Sequence, residues 1–214
     1  MGLLTLFVTF EGGEGVGKST QVGVLADWLR RRGHAVTVTR EPGGTVGAEC
    51  VRHVLLSGRA RAHGPDMEAL LFAAARHDNV EQNIKPALTA GHVVLCDRYI
   101  DSSRVYQGVV GGVTDAFVRG MEEAVVDGAR PDLTLVFDMP VERSMDRLRT
   151  RQSGDTDDRF EAEAMDAHRK RRKAFLDLAA AEPDRCKVID ADRATDDVSR
   201  SVIAAVSERL DAPR

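Results

Sequence analysis

Five short apolar segments, each stopped by glycine or by charge, punctuate the chain. Residues 3–10 (Leu-Leu-Thr-Leu-Phe-Val-Thr-Phe) run uncharged toward a glycine cluster, as a strand buried on both faces does. Comparable runs lie at 35–39, 92–97, 132–138 and 186–190. Between them the apolar period lengthens. Val22, Leu25, Ala26 and Leu29 recur at helical spacing across residues 18–32, and Gly33 supplies a stop. Helical patterns also cover about 45–57, about 67–90 with Gly91 as terminator, and 114 to about 126. The stretch containing Gly108, Gly111 and Gly112 reads as a loop, and helical segments fill what remains. Alternating strands and helices predict an α/β domain over 1–214, its parallel sheet flanked by helices on both faces.

Composition narrows the class. At 214 residues and 23.3 kDa the chain can bury a full core without covalent staples. Lys and Arg total 30 against 34 for Asp and Glu, a net charge of −4, so no nucleic-acid partner is expected. Cys50, Cys96 and Cys186 are widely spaced and odd in number. That excludes a disulfide framework and a Cys-type zinc site, and fits a cytoplasmic compartment. The chain opens without a basic leader, and no apolar stretch approaches the ~18 residues of a membrane span, so no membrane partner is expected.

Gly12-Gly13-Glu14-Gly15-Val16-Gly17-Lys18-Ser19 matches G-x-x-x-x-G-K-[ST], directly after a strand and opening a helix. Backbone N–H groups of such a loop converge on phosphates, and Thr20 extends the contact. Lys18 reaches the outer phosphates of ATP, and the Ser19 hydroxyl is placed for Mg2+. A GTPase would carry a guanine-reading Asn-Lys-x-Asp, whereas Asn83-Ile84-Lys85-Pro86 is what stands nearest. A transporter ATPase would need more than Leu56-Ser57-Gly58-Arg59. A partition-type switch ATPase stays open as an alternative, although position 11 holds Glu instead of lysine.

Four further segments resemble thymidylate kinases, in that family's order: Thr39-Arg40-Glu41-Pro42-Gly43-Gly44-Thr45, Leu71-Phe72-Ala73-Ala74-Ala75-Arg76, Asp97-Arg98-Tyr99-Ile100-Asp101-Ser102-Ser103 running into Tyr106-Gln107-Gly108, and Arg130-Pro131-Asp132-Leu133-Thr134. The resemblance implies a five-stranded P-loop core with a short lid, usually homodimeric, transferring the γ-phosphoryl group of ATP to dTMP with Mg2+. A kinase for another pyrimidine deoxynucleotide would share these motifs.

By that resemblance Phe72 stacks on the thymine ring and Arg76 reaches a base carbonyl; the two are four apart, on one helix face. Arg98 grips the acceptor phosphate, a task suited to a planar fork of donors, and Asp97 helps organise Mg2+. Ser103 and Gln107 contact the pyrimidine edge, Tyr106 lies against the sugar, and Glu41 and Arg52 belong to the same acceptor site. The Glu41–Pro42 bond is a candidate cis peptide. Glu14 takes the place of the carboxylate facing the acceptor. Gly15 stands where the eukaryotic type carries an arginine, so the compensating cation is expected from a lid over about 147–161. Arg159 is the first candidate and Arg151 the second. The adenine pocket is expected near Asp190-Ala191-Asp192-Arg193. The run His168-Arg169-Lys170-Arg171-Arg172-Lys173 reads as a solvated helix face, and Trp28 as core.

Overall fold

The computed structural model describes residues 5–151 and 158–211, without the side chains of 61, 151 and 158–164. Strands β1 (Leu6–Gly12), β2 (Val36–Arg40), β3 (Val93–Asp97), β4 (Leu133–Asp138) and β5 (Cys186–Asp190) form one sheet in the order β2-β3-β1-β4-β5. Every pairing is parallel. The helices are α1 (Lys18–Arg31), α2 (Val46–Leu56), α3 (Pro65–Asn79), α4 (Lys85–Thr89), α5 (Ile100–Ser103), α6 (Asp115–Val126), α7 (Val141–Arg151), α8 (Asp158–Ala181) and α9 (Thr195–Asp211). This is the α/β architecture that the alternation predicts.

The two-residue period of β1 divides its side chains between two cores. Leu6, Val8 and Phe10 pack with Leu25 and Leu29 of α1 and with Val202 of α9. Phe7 faces the other way, among Val80, Ile84 and Tyr99. Phe10 and Val8 are fully buried, and each such side chain stabilises the fold by roughly 1.5–3 kcal/mol. Trp28 is partly buried against the first core, with the Arg32 guanidinium 3.9 Å from its ring centroid. Among the described residues no helix is long and apolar enough to cross a membrane.

Some boundaries differ from expectation. Strand β1 continues to Gly12 because Glu11 finds buried hydrogen-bond partners and Gly12 meets β4 at close quarters. A Cβ at Gly12 (φ 130°) would collide with the Phe137 carbonyl. The helix expected over 67–90 is interrupted at Val80–Ile84 by a turn of π-helix between α3 and α4. Residues Arg104–Val110, read as loop, continue α5 as π-helix with Val105 and Gln107 buried. Gly108 lies inside this helix, and Gly111 and Gly112 follow its end: a Cβ at Gly111 would meet the Gln107 carbonyl. Of the lid expected over 147–161, residues 147–151 are the last turn of α7, 158–161 open α8, and 152–157 lie outside the described residues.

Candidate active site

Parallel strands deliver their carboxyl ends to one edge of the sheet, where ligands bind in α/β folds. Here β1 runs out into the phosphate cradle and β3 into Asp97 and Arg98, side by side: Phe10 pairs with Asp97, and the Arg98 N–H donates to the Phe10 carbonyl at 3.0 Å. In the cradle, Gly15 and Gly17 adopt positive φ (74° and 95°), which turns the backbone toward the start of α1. Lys18 is buried, and its Nζ donates to the carbonyls of Gly12 (3.1 Å) and Gly13 (2.5 Å). Burial, then the charge of Arg98, lowers its pKa from 10.5 to about 7. Ser19 Oγ donates to Asp97 Oδ2 at 2.5 Å, so the hydroxyl and carboxylate singled out for the metal are adjacent.

Arg98 occupies the left-handed region (φ 68°), a conformation a non-glycine residue adopts only when its surroundings impose it. Buried Glu11 imposes it. Its Oε1 accepts from the N–H groups of Tyr99 (2.8 Å) and Ser102 (3.1 Å), and its Oε2 accepts from Ser102 Oγ (2.6 Å). Arg98 Nη1 in turn donates to the Gly12 carbonyl and Ser102 Oγ, both at 3.2 Å. Burial and then Asp101 raise the Glu11 pKa to about 7.

A cavity of about 500 Å³ opens beside Arg98, walled by Glu41, Arg52, Phe72, Arg76, Tyr106 and Gln107 among others. Its floor is an ion pair: Arg76 Nε lies 2.7 Å from Glu41 Oε2, both side chains only 4% exposed. Arg76 Nη2 also donates to the Tyr99 carbonyl and to Ser103 Oγ, each at 3.0 Å. Burial works against the guanidinium charge and Glu41 more than offsets it, so the Arg76 pKa is raised. Arg52 Nη1 donates to the Pro42 carbonyl at 2.7 Å, and the Glu41–Pro42 bond is cis as expected. A separate cavity of about 220 Å³ is lined by Gly15, Gly17 and Thr20 of the cradle end and by Arg147, Ala191 and Arg193. The loop after β5 thus reaches the side where adenine was expected.

A family model for thymidylate kinase matches residues 10–202. This chain belongs to the thymidylate kinase family. A thymidylate kinase of Nitrobacter winogradskyi is 50% identical over 203 residues, covering 95% of this chain and 88% of that protein. One of Bradyrhizobium diazoefficiens is 48% identical over 204 residues, covering 95% of this chain and 90% of that protein. The crystal structure of thymidylate kinase from Ehrlichia chaffeensis matches with TM-score 0.76 at 30% identity, over 95% of this chain and 99% of that one. The chain is therefore an ATP-dependent nucleoside monophosphate kinase of an α/β P-loop fold.

Of the residues selected by resemblance to thymidylate kinases, Glu14 belongs to the cradle and also lines the 500 Å³ cavity beside Arg98. Tyr106 Oη donates to Glu14 Oε1 at 2.6 Å. Burial would raise the Glu14 pKa, but His168, Arg98, Tyr106 and Arg171 together hold it far below the ordinary carboxylate range. Two of these partners correct the sequence reading. The basic run 168–173 is not simply a solvated face: His168 Nδ1 lies 3.3 Å from Glu14 Oε2, and Arg171 lines the cavity beside Arg98. The apolar stripe carried the signal, since Phe175 of α8 is four residues after Arg171 and seven after His168, on one helix face. Arg151 and Arg159 lie outside the described side chains. A side chain at Gly15 would strike the Ser144 carbonyl and Leu148 of α7, so this cradle has no room for the eukaryotic-type arginine.

Proposed function

We propose that the chain transfers the γ-phosphoryl group of ATP to dTMP, giving dTDP and ADP for dTTP synthesis. One observation carries the reading: a phosphate cradle and an arginine-gripped acceptor cavity leave the sheet on neighbouring strands, with the Arg98 N–H bonded to the Phe10 carbonyl at 3.0 Å. Transfer between two bound phosphates needs placement and neutralised charge, with no covalent intermediate on the protein. Residues 12–20 hold the triphosphate of ATP, and Lys18 leaves the Gly12 and Gly13 carbonyls for the outer phosphates. Arg98 orients the acceptor phosphate, and Glu14 faces the acceptor sugar. Phe72, Arg76, Ser103 and Gln107 meet the base, with Tyr106 beside the sugar and Glu41 and Arg52 fixing the Pro42 turn.

The donor set suits Mg2+: Ser19 Oγ and Asp97 Oδ2 are hard oxygen ligands 2.5 Å apart at the cradle. When bound, the ion neutralises phosphate charge. An arginine of the lid expected over 147–161, Arg159 before Arg151, is assigned to the transferring group, and closure of that lid excludes water. A homodimer is supported by helices α2, α3 and α6, which pack in sequence and expose Val54, Leu70 and Phe117. The described cysteines are all unpaired, in keeping with a cytoplasmic protein.

ADP release with Mg-ATP and, separately, dTMP, dUMP, dCMP, dGMP, CMP, UMP, AMP or no acceptor tests the reading. Release that depends on dTMP, with dUMP clearly poorer, is the expected result. A better rate with another pyrimidine nucleotide would move the substrate. Indifference to every acceptor would end the kinase reading and promote the switch ATPase.

A further inference from the structure

Two guanidinium groups and an imidazole crowd Glu14. Arg98 Nη2 stands 3.6 Å from Oε1, while His168 Nδ1 and Arg171 Nη1 stand 3.3 and 3.9 Å from Oε2. These are ion-pair distances without hydrogen-bond alignment. Glu14 Oε2 and Arg171 Nε are both buried, and neither has a hydrogen-bond partner among the described residues. A buried donor left unmade is costly, and its presence in a cavity wall points to an acceptor that a ligand supplies.

The neighbours of Arg171 are committed elsewhere. Arg172 forks onto Asp138 at 2.6 and 2.9 Å, and Arg169 pairs with Glu142 and Asp166. Arg171 instead turns into the acceptor cavity, its guanidinium carbon 4.9 Å from the centroid of the Tyr106 ring. The Arg98 guanidinium lies over the same ring at 5.1 Å. One phenol ring thus gathers two guanidinium groups around one carboxylate. Arg98 spends Nη1 on Gly12 and Ser102 and keeps Nη2 toward Glu14; Arg171 keeps Nε and Nη1.

We infer that Arg171 is a second phosphate-binding residue for the acceptor, closing with Arg98 on the monophosphate, and that Glu14 holds the two guanidiniums together until that phosphate arrives. The inference rests on the acceptor being a nucleoside monophosphate, as proposed above. A phosphate monoester carries about −1.5 to −2 charge and three tetrahedral oxygens, against one charge and two oxygens on Glu14. It can therefore satisfy two forks at once, where the carboxylate satisfies neither.

Calorimetric titration with dTMP and with thymidine, which differ only in the phosphate, tests this on wild type, Arg171→Met and Arg171→Lys. Methionine keeps an apolar stem beside Tyr106 and loses the fork; lysine keeps the charge alone. Arg171→Met is expected to weaken dTMP about 10- to 100-fold while thymidine stays within about twofold of wild type, with Arg171→Lys in between. The KM for dTMP rises by the same order and the KM for ATP does not. Affinity for dTMP in Arg171→Met within about twofold of wild type would overturn the assignment. So would an equal loss for thymidine, which would make Arg171 a packing residue. The wild-type arm separates the two layers: no preference for dTMP over thymidine there would sink the acceptor reading and this inference with it. Normal wild-type preference with an unaffected Arg171→Met would sink the inference alone.

Discussion

Ser102 gives Glu11 both of its protons, the backbone N–H to Oε1 at 3.1 Å and the hydroxyl to Oε2 at 2.6 Å. With the Tyr99 N–H also on Oε1, a carboxylate at the end of β1 holds the backbone turn that presents Arg98. Glu11→Ala strands these donors, one of them deeply buried, and should cost roughly 2–5 kcal/mol. It should also raise the KM for dTMP more than that for ATP, since Arg98 loses its support. Unchanged acceptor KM in a folded Glu11→Ala would refute the positioning role.

The Glu11 carboxyl also sets a pH signature. Its folded pKa of about 7 lies above the ordinary 4.5, through burial and then Asp101. The folded state therefore binds its proton more tightly than the unfolded chain. Stability from this group is full below pH 4.5 and is lost as pH rises through 7. Glu11→Gln removes the titration, so wild-type Tm minus Gln-variant Tm should fall between about pH 5 and about pH 7.5. A difference that stays flat across that range would contradict it.

Lys18 predicts a proton flux on ATP binding. Its pKa of about 7 in the ligand-free protein leaves it mostly neutral at pH 8, and a triphosphate favours the charged form. ATP binding at pH 8 should then draw in close to one proton, about 0.9, and tighten as pH falls toward 7. Titrations in buffers of different ionisation heat measure the uptake. It should vanish in Lys18→Met, together with transfer, which should drop at least roughly 10³-fold. Uptake that persists without Lys18 would assign the proton to another group.

Arg98 combines function with strain. Arg98→Ala and Arg98→Gly should both abolish transfer, yet differ in stability. At φ 68° glycine rests where alanine is strained, so the Gly variant should be the more stable by about 1 kcal/mol. Equal denaturation midpoints for the two would show that the left-handed turn relaxes once the guanidinium is gone.

Gly15→Ala tests the contact between cradle and α7. A Cβ there meets the Ser144 carbonyl and Leu148 at a positive φ of 74°, so the cost should be roughly 2–4 kcal/mol with weakened ATP binding. A variant with wild-type Tm and ATP affinity would mean that α7 moves aside freely.

The central strands β1, β3 and β4 were legible because parallel strands buried on both faces leave unbroken apolar runs. β3 and β4 ended close to where Asp97 and Asp138 interrupt theirs. The cradle was legible because its glycines serve backbone geometry and are fixed in spacing. The π turn at Val80–Ile84 was not, since one extra residue leaves both ends facing the core. Nor was the helix through Gln107, because glycines that terminate a helix and glycines that make a loop look alike in sequence. Arg171 and His168 were hidden among six basic or histidine positions, and only their register with Phe175 distinguishes inward from outward. Arg76, read as a base contact, has Nε and Nη2 engaged with Glu41, Tyr99 and Ser103, partners brought together only by the tertiary fold.

The adjoining ends of β1 and β3 carry a consequence for how such an enzyme diversifies. The cradle, Asp97 and Arg98 hang from that one strand pair, whereas Phe72, Arg76, Ser103 and Gln107 sit on α3 and on the helical stretch after β3. Substitutions on those helices leave the ladder untouched. On the proposed reading base preference is set at these four positions, and a search for altered nucleotide selectivity should begin there and spare the strands.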